Sequence, residues 1–422
     1  MTDAVQPSSD ERNAQASAIA RAAAEALVTE STCLIQYSSR GRVAVIGGIE
    51  AQEFASRLSG KLVAQVILTS GAEEPGVPMI PVGNRRLQIQ GYLGNFNIIL
   101  GEEGRASYET VSVDLVLDLS PAPLLSMPVK PPGYLTSQVE EPYLTLVEEQ
   151  LYGLTGTFEK PKYFNYDASI CAHGRSGISG CTLCIDSCPA DAIMSLIESV
   201  EVNPNLCQGG GICASVCPSG AIRYVYPNAT DTLRTVRTLL THYHEAQGSK
   251  PVIAFVAAEE ADMLNDKPAN MLAVVVEELA SAGLEIWLSA LAYGAERVLL
   301  IDAGSMPDSV AGFLRLQLET AEKILLGLGY PGQAIRIVDP ASLQQQCEFE
   351  SGFGLDGRAT FAGSLEKRRT VLQAVDHLYQ QSNDAQPIID LPQQSPFGRI
   401  IVDADACTLC MSCTSVCPSK AI

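Results

Sequence analysis

The feature that most constrains this chain is a cysteine pattern that occurs three times and ends each time in Cys-Pro-x-x-Ala-Ile. The three copies end at Ile193, Ile222 and Ile422. Together they contain eleven of the thirteen cysteines, namely Cys171, Cys181, Cys184, Cys188, Cys207, Cys213, Cys217, Cys407, Cys410, Cys413 and Cys417. Closely spaced cysteines in a chain without an export signal bind metal more often than they form disulfides. The repeats therefore predict metal centres.

The spacing within the repeats indicates which metal they bind. The third repeat has the pattern C-x2-C-x2-C-x3-C-P, running from Cys407 to Pro418. In this spacing three thiolates hold one iron–sulfur cubane, and the fourth thiolate reaches a neighbouring cluster. Zinc is the main alternative, because paired Cys-x2-Cys motifs also form tetrahedral zinc sites. Zinc sites do not require the Cys-x3-Cys-Pro ending or the repeated Ala-Ile, so the pattern favours iron–sulfur clusters.

Alignment of the first two repeats predicts the ligands of a first cluster, called cluster A here. The segment before Cys171 aligns with those before Cys207 and Cys407, so Cys171 begins the first repeat. A loop rich in Gly and Ser, Ala172 to Gly180, then precedes Cys181. In crossed pairing the fourth cysteine of each repeat serves the other cluster. Cluster A is thus predicted to be a [4Fe–4S] cluster on four thiolates: Cys171, Cys181, Cys184 and Cys217.

The same pairing predicts a second cluster, cluster B, on Cys207, Cys213 and Cys188. Gly210 occupies the place of its second cysteine and has no side chain that could bind iron. Three outcomes are open: a [3Fe–4S] cluster, a cluster completed by a non-cysteine or distant ligand, or no cluster. Because the other cysteines are kept, we expect some cluster. The predicted cofactors are two or more [4Fe–4S] clusters, with a [3Fe–4S] cluster as the possibility at cluster B.

The third repeat predicts a further cluster on Cys407, Cys410 and Cys413, with Cys417 directed to a partner cluster. Neither the fourth ligand nor the partner repeat follows within the 422 residues. We therefore expect this sequence to be the N-terminal portion of a longer protein. The alternatives are that Cys347 completes the site or that a second subunit does.

Three further residues could in principle bind a cluster, but we expect none of them to be a ligand. Cys33 and Cys347 lie outside the repeats, and each is expected to be a buried core thiol. His173 lies in the inserted loop, where it could tune or ligate a cluster. We expect it instead to face solvent.

The chain is predicted to have an α+β multidomain fold, in which ferredoxin-like double-cluster modules are combined with two small α/β domains. An N-terminal α/β domain is predicted over 1–130, with a strand over 42–48 followed by a helix over 50–58. The Gly47-Gly48 turn between them is either a tight turn, which we favour, or a phosphate site at a helix N-terminus. The other predicted units are the cluster domain over 160–228, an inserted α/β domain over 245–382 and the start of a second ferredoxin-like domain over 397–422.

The inserted domain is predicted from alternating strands and helices, which imply a parallel sheet covered by helices. Its predicted strands cover 252–257, 285–288, 298–301 and 335–338. Its predicted helices cover 271–282, 310–328 and 364–379.

Composition narrows the class of partner. The net charge of −20 argues against nucleic acid, because phosphate binding needs clustered Lys and Arg. Acidity fits docking on basic protein surfaces, or serves only to keep the protein in solution. Residues 1–32 lack the apolar stretch of a secretory signal, and the apolar run Met271 to Ala292 contains three glutamates. We therefore expect a cytoplasmic protein with no membrane span.

The cysteine runs in 163–226 and 399–422 resemble those of bacterial double-cluster ferredoxins. The wider order resembles long cytoplasmic multi-cluster ferredoxin-type proteins of proteobacteria, which are often encoded beside formate dehydrogenase subunits. The phrases that carry this likeness are Val116-Leu-Asp-Leu-Ser-Pro-Ala-Pro123, Pro131-Pro-Gly-Tyr134 and Asp167-Ala-Ser-Ile-Cys-Ala-His-Gly-Arg-Ser-Gly177. The resemblance implies a redox partner such as a formate dehydrogenase or a hydrogenase.

The inserted domain is similar to the delta subunit of methyl-viologen-reducing hydrogenases, through Leu291 to Asp302 and Lys323 to Tyr330. That family binds a small cluster through its own cysteines. Residues 251–340 contain no cysteine, so the resemblance implies only the fold.

Three functions compete at this level. The leading hypothesis is an electron-transfer protein that relays single electrons between a dehydrogenase or hydrogenase and an acceptor. The second is a flavin- or nucleotide-binding oxidoreductase subunit, and the third is an iron–sulfur maturation factor. Neither a P-loop nor a recognisable Ser/His/Asp set is present, and only four histidines occur, so we favour a protein without catalysis of its own.

Overall fold

The computed structural model describes residues 8–58, 60, 62–71, 76–101, 108–174, 180–264, 267–349, 352–364, 366–398 and 400–417. Two α/β units lie on either side of a small cysteine-rich module in the sequence, and a short terminal repeat follows them. This mixture of helices and sheets agrees with the predicted α+β class. In the described part of the chain, no helix has the length and apolar character needed to cross a membrane.

The first unit is built on a parallel sheet. Its elements are α1 (Ser9–Glu25), β1 (Leu34–Ser39), β2 (Arg42–Gly47), α2 (Ile49–Arg57), β3 (Val63–Leu68), β4 (Met79–Pro81), β5 (Arg86–Tyr92), β6 (Asn95–Gly101), β7 (Tyr108–Val113), β8 (Leu115–Asp118), β9 (Tyr134–Thr136), α3 (Tyr143–Gly153) and β10 (Gly156–Pro161). The parallel strands lie in the order β4-β3-β2-β8-β9, and β5, β6 and β7 form an antiparallel meander. Four successive residues of β2, from Val43 to Ile46, are fully buried, as expected for a parallel strand covered on both faces.

The turn between β2 and α2 is capped by the chain itself. The N–H of Gly48 donates to the Glu50 carboxylate over 2.7 Å. A phosphate at this helix N-terminus would need the position that this negative group already occupies. The geometry favours the tight βα turn over a phosphate site.

The cysteine-rich module consists of two interlocked halves. Its elements are β11 (Phe164–Tyr166), α4 (Leu183–Ser187), β12 (Ile193–Ser195), β13 (Val200–Val202), α5 (Ile212–Val216) and β14 (Ile222–Tyr224). Strand β11 of the first half pairs antiparallel with β14 of the second, and β12 pairs antiparallel with β13. Each half is thus a strand–helix–strand repeat whose strands are completed by the other half.

The third unit contains a four-stranded parallel sheet in the order β16-β15-β17-β18. The alternation of strands and helices predicted this arrangement. The elements are α6 (Ala229–Glu245), β15 (Val252–Ala257), β16 (Met271–Val276), α7 (Leu284–Ala292), β17 (Arg297–Ile301), α8 (Asp308–Gly327), β18 (Ile335–Val338), α9 (Leu343–Cys347) and α10 (Lys367–Gln381).

Two predicted elements of this unit are wrong. The segment predicted as a helix over 271–282 is strand β16 followed by a 3-10 turn at Leu279–Ser281, and the strand predicted over 285–288 lies inside helix α7. All nine residues of α7 are buried, so its apolar residues show no helical period. The run Val274-Val-Val276 has the β-branched side chains that favour a strand.

The units share elements across the predicted boundaries. Ala16 and Ala20 of α1 are fully buried in the core of the third unit, and the Ser17 hydroxyl donates to the Ala269 carbonyl. The core of the first unit extends beyond residue 130, because Val147 and Leu151 of α3 are buried in it and β10 pairs with β1. Helix α1 therefore links the start of the chain to the third unit.

Candidate metal centres

The cysteines of the module are arranged around two short helices. Cys184 lies within α4 and Cys188 follows its last residue, while Cys213 lies within α5 and Cys217 follows its last residue. A separation of four residues corresponds to about 6 Å along a helix axis. Each helix thus carries one thiol in its first turns and another at its C-terminal end.

Four cysteines of the module line one cavity. The lining includes Cys171, Cys181, Cys184 and Cys217, which are the residues predicted to hold cluster A. Ala221 and Ile222 provide part of the wall. The crossed arrangement therefore appears in the fold, because the first three cysteines of one repeat and the last cysteine of the other share a cavity.

The thiols around this cavity differ in acidity. Burial raises the pKa of Cys181, and it raises the pKa of Cys184 to about 12. Burial also acts to raise the pKa of Cys217, but the Ile222 N–H and the nearby charge of Lys367 outweigh it and lower that pKa. Without metal, Cys181 and Cys184 stay protonated at neutral pH, so iron must displace their protons on binding.

His173 is buried, with 2% of its surface exposed, so the expectation that it faces solvent is wrong. Its Nδ1 lies 2.9 Å from the Cys181 carbonyl and its Nε2 lies 2.7 Å from the Ser195 hydroxyl. A carbonyl only accepts hydrogen bonds, so Nδ1 carries a proton and donates. Both nitrogens are thus engaged with the protein, and the ring holds the backbone of Cys181 in place instead of facing a cluster.

Cys188, Cys207 and Cys213, the three thiols predicted for cluster B, line a second cavity of about 230 Å³ together with Gly210. The third unit closes this cavity with an acidic wall that contains Glu259, Glu260, Glu278 and Asp302. Burial raises the pKa of all three thiols, most strongly that of Cys213. Burial, with the neighbouring glutamates, also raises the pKa of Glu278 to about 7.

The three residues at 209–211 are all glycine, but the structure does not require glycine at each position. Gly209 and Gly211 have positive φ angles of 83° and 70°. A Cβ at Gly209 would lie 2.9 Å from the Tyr163 ring, and one at Gly211 would lie 2.6 Å from the Ser281 Cα. Gly210 is different: its φ is not positive, and its Cβ would meet only Pro189, at 3.9 Å. Packing therefore requires glycine at 209 and 211 but leaves room for a cysteine at 210.

The terminal repeat has the same local conformation without the same packing. Its elements are a turn around Cys407 and helix α11 (Ser412–Val416), and Cys407, Cys410 and Cys413 are exposed. Each residue number in the terminal repeat is 200 higher than that of the equivalent residue in the second repeat, so Val416 corresponds to Val216. Val216 is 8% exposed and Val416 is 73% exposed. In the described residues, the apolar side of this repeat therefore lacks the cover that the second repeat has.

The two cysteines outside the repeats behave differently. Cys347 is buried in the core of the third unit with Val256 and Ile301, as predicted. Cys33 is exposed, so its prediction as a buried core thiol is wrong; it lies just before the edge strand β1, where its carbonyl accepts from the Lys162 N–H. The position of Cys347 in a packed core argues against its completing the terminal site.

Within the described residues, no three His, Cys, Asp or Glu side chains are arranged to hold a single metal ion. Sequence reasoning missed two features around cluster B: the acidic wall of its cavity and the half-buried Lys160, whose ammonium donates to the Cys207 carbonyl. These residues lie far from the cysteines in the chain, so no local pattern could have found them.

Two segments of the chain match the family model of the 4Fe–4S binding domain: residues 200–223 and residues 400–422. They contain the second and third cysteine repeats, including the exposed terminal one. A comparison with curated proteins gives no match. The two domains support at least two [4Fe–4S] clusters and a ferredoxin-type iron–sulfur chemistry.

Proposed function

We propose that this protein relays single electrons between a redox enzyme, such as a dehydrogenase or a hydrogenase, and an acceptor. The observation that carries the proposal is the pair of cysteine-lined cavities joined by α4 and α5. Each helix supplies one thiol to the first cavity and another to the second, and these two thiols are separated by about 6 Å along the helix axis. Iron–sulfur clusters held there supply one-electron chemistry, and the protein supplies ligands, burial and hydrogen bonds that set their potentials.

The two cavities are proposed to hold different clusters. Four thiols fit a [4Fe–4S] cluster at cluster A, whereas the three thiols of cluster B fit a [3Fe–4S] cluster. The open space at Gly210 supports this difference, because no neighbouring side chain fills the place of the missing cysteine. The terminal repeat is proposed to contribute Cys407, Cys410, Cys413 and Cys417 to further clusters.

The proposed partner is a redox protein with a basic docking surface, of the formate dehydrogenase or hydrogenase kind. The net charge of −20 supports this complementarity, which increases the rate of association more than the affinity. The proposed location is the cytoplasm, because cysteines that bind metal need a compartment that keeps thiols reduced.

The test is anaerobic purification followed by iron, zinc and sulfide analysis and EPR during a redox titration. We expect iron and sulfide in similar amounts and clusters that are reduced and reoxidised in one-electron steps. Zinc without sulfide would contradict the proposal. Transfer of clusters to an apo-enzyme without redox cycling would indicate a maturation factor, and retained flavin would indicate an oxidoreductase subunit.

A further inference from the structure

Lys160 is a half-buried cation beside the backbone of a cluster B cysteine. It lies on β10 of the first unit, and its Nζ donates to the Cys207 carbonyl over 2.5 Å and to the Asn205 carbonyl over 3.1 Å. The Tyr37 hydroxyl donates to the same Asn205 carbonyl over 2.6 Å, and the Lys160 Nζ lies 5.1 Å from the centre of the Tyr37 ring. Strands β1 and β10 therefore fix the ammonium against the segment that carries Cys207.

This cation has no acidic partner among the residues that the structure describes. A second half-buried lysine, Lys367, offers a contrast. It donates to the Ala214 and Ser215 carbonyls, but its Nζ also lies 3.7 Å from the Glu285 carboxylate. Buried charges are ordinarily paired, because removing an ion from water costs several kcal/mol. The ammonium of Lys160 is partly withdrawn from water and forms no described ion pair, so a negative charge beside Cys207 would stabilise it.

We propose that Lys160 is the counter-charge of the cluster held by Cys188, Cys207 and Cys213, and that it keeps the reduction potential of this cluster high. The inference rests on the proposed function, since it requires a cluster in the second cavity. An iron–sulfur cluster with its thiolates is an anion, and reduction adds one more negative charge. A fixed positive charge nearby stabilises the reduced form more than the oxidised form. Lys160 is a positioning residue in this account, because it acts on the cluster through space and through the Cys207 backbone.

The experiment measures the reduction potential of each cluster by EPR-monitored titration of the full chain. Lys160→Met should lower the potential of cluster B and leave that of cluster A unchanged. We expect at least a tenfold fall in the ratio of reduced to oxidised cluster B at a fixed potential, which is about 59 mV for a one-electron couple. Lys160→Arg keeps the charge and should keep the potential close to wild type.

Lys162→Met is the matched control. It removes the same charge two residues away, from a side chain whose ammonium lies over the Phe164 ring, whereas the ammonium of Lys160 donates to the Cys207 carbonyl. Its potentials should match wild type. An equal fall in Lys162→Met would overturn the proposal, because it would show an effect of net charge alone.

Other outcomes are equally decisive. Lys160→Gln retains a hydrogen-bond donor toward the two carbonyls, so an unchanged potential in this variant and in Lys160→Met overturns the proposal. If both variants lose the iron of cluster B while Lys160→Arg retains it, Lys160 is a structural anchor and the proposal also fails. Failure of the underlying function is recognised separately: Cys213→Ser would then leave iron content and the EPR spectrum as in wild type.

Discussion

Replacement of Gly210 by cysteine tests how the second cavity binds its cluster. The new Cβ would have one neighbour within 4 Å, the Pro189 side chain at 3.9 Å, which is ordinary van der Waals contact. The terminal repeat already carries a cysteine at the equivalent position, between Leu409 and Met411 with positive φ angles of 53° and 60°. The backbone at Gly210 can therefore accept a cysteine without rearrangement.

The expected magnitude follows from this geometry. A residue other than glycine at a compatible backbone position stabilises a protein by about 0.4–1 kcal/mol, through loss of freedom in the unfolded chain. Gly210→Cys should therefore fold at least as well as wild type. Its fourth thiolate should convert a three-iron cluster into a four-iron cluster, which adds about one iron per chain.

The assay combines iron analysis with EPR of the oxidised protein after anaerobic purification. Wild type should show a three-iron signal, and Gly210→Cys should lose it. Gly210→Ala is the matched control, because it adds the same Cβ without a thiol and should keep the signal. Gly211→Cys should fold poorly, since its Cβ would lie 2.6 Å from the Ser281 Cα and its positive φ costs about 1–2 kcal/mol more.

Two results would refute this reasoning. If oxidised wild type has no EPR signal yet contains the iron of complete cubanes, a non-cysteine ligand already completes cluster B. If Gly210→Ala also loses the signal, the change arises from packing and the thiol is not responsible.

The remaining predictions concern the other sites. Cys181→Ser should remove the iron of one cluster, whereas Cys347→Ser should leave iron content at the wild-type level; equal losses would contradict the ligand assignment. His173→Ala should lower the free energy of unfolding by about 1–3 kcal/mol, through two lost hydrogen bonds, and should speed iron release measured with a chelator. Val216→Ala should destabilise the module by about 1–3 kcal/mol, while Val416→Ala should change thermal stability by less than about 0.5 kcal/mol, because only the first side chain is buried.

The cysteine spacing determined the metal chemistry by itself, because a cluster motif is a local property of the chain. Alignment of the repeats also predicted which thiols share a cavity. The first cavity is lined by Cys171, Cys181, Cys184 and Cys217, and the second is lined by Cys188, Cys207 and Cys213. Alternating strand and helix segments predicted the parallel sheet of the third unit for the same reason, since most of its strands and helices carry their own pattern.

The tertiary structure decided what depends on distant partners. Helix α7 is buried on every side, so its sequence carries no period that separates it from a strand. The His173 ring is buried where its Nδ1 donates to the Cys181 carbonyl and its Nε2 lies beside the Ser195 hydroxyl. Lys160 reaches the Cys207 carbonyl from a strand of another unit. Such contacts arise only when separate segments pack together, and burial then changes the energy of each charge and hydrogen bond they form.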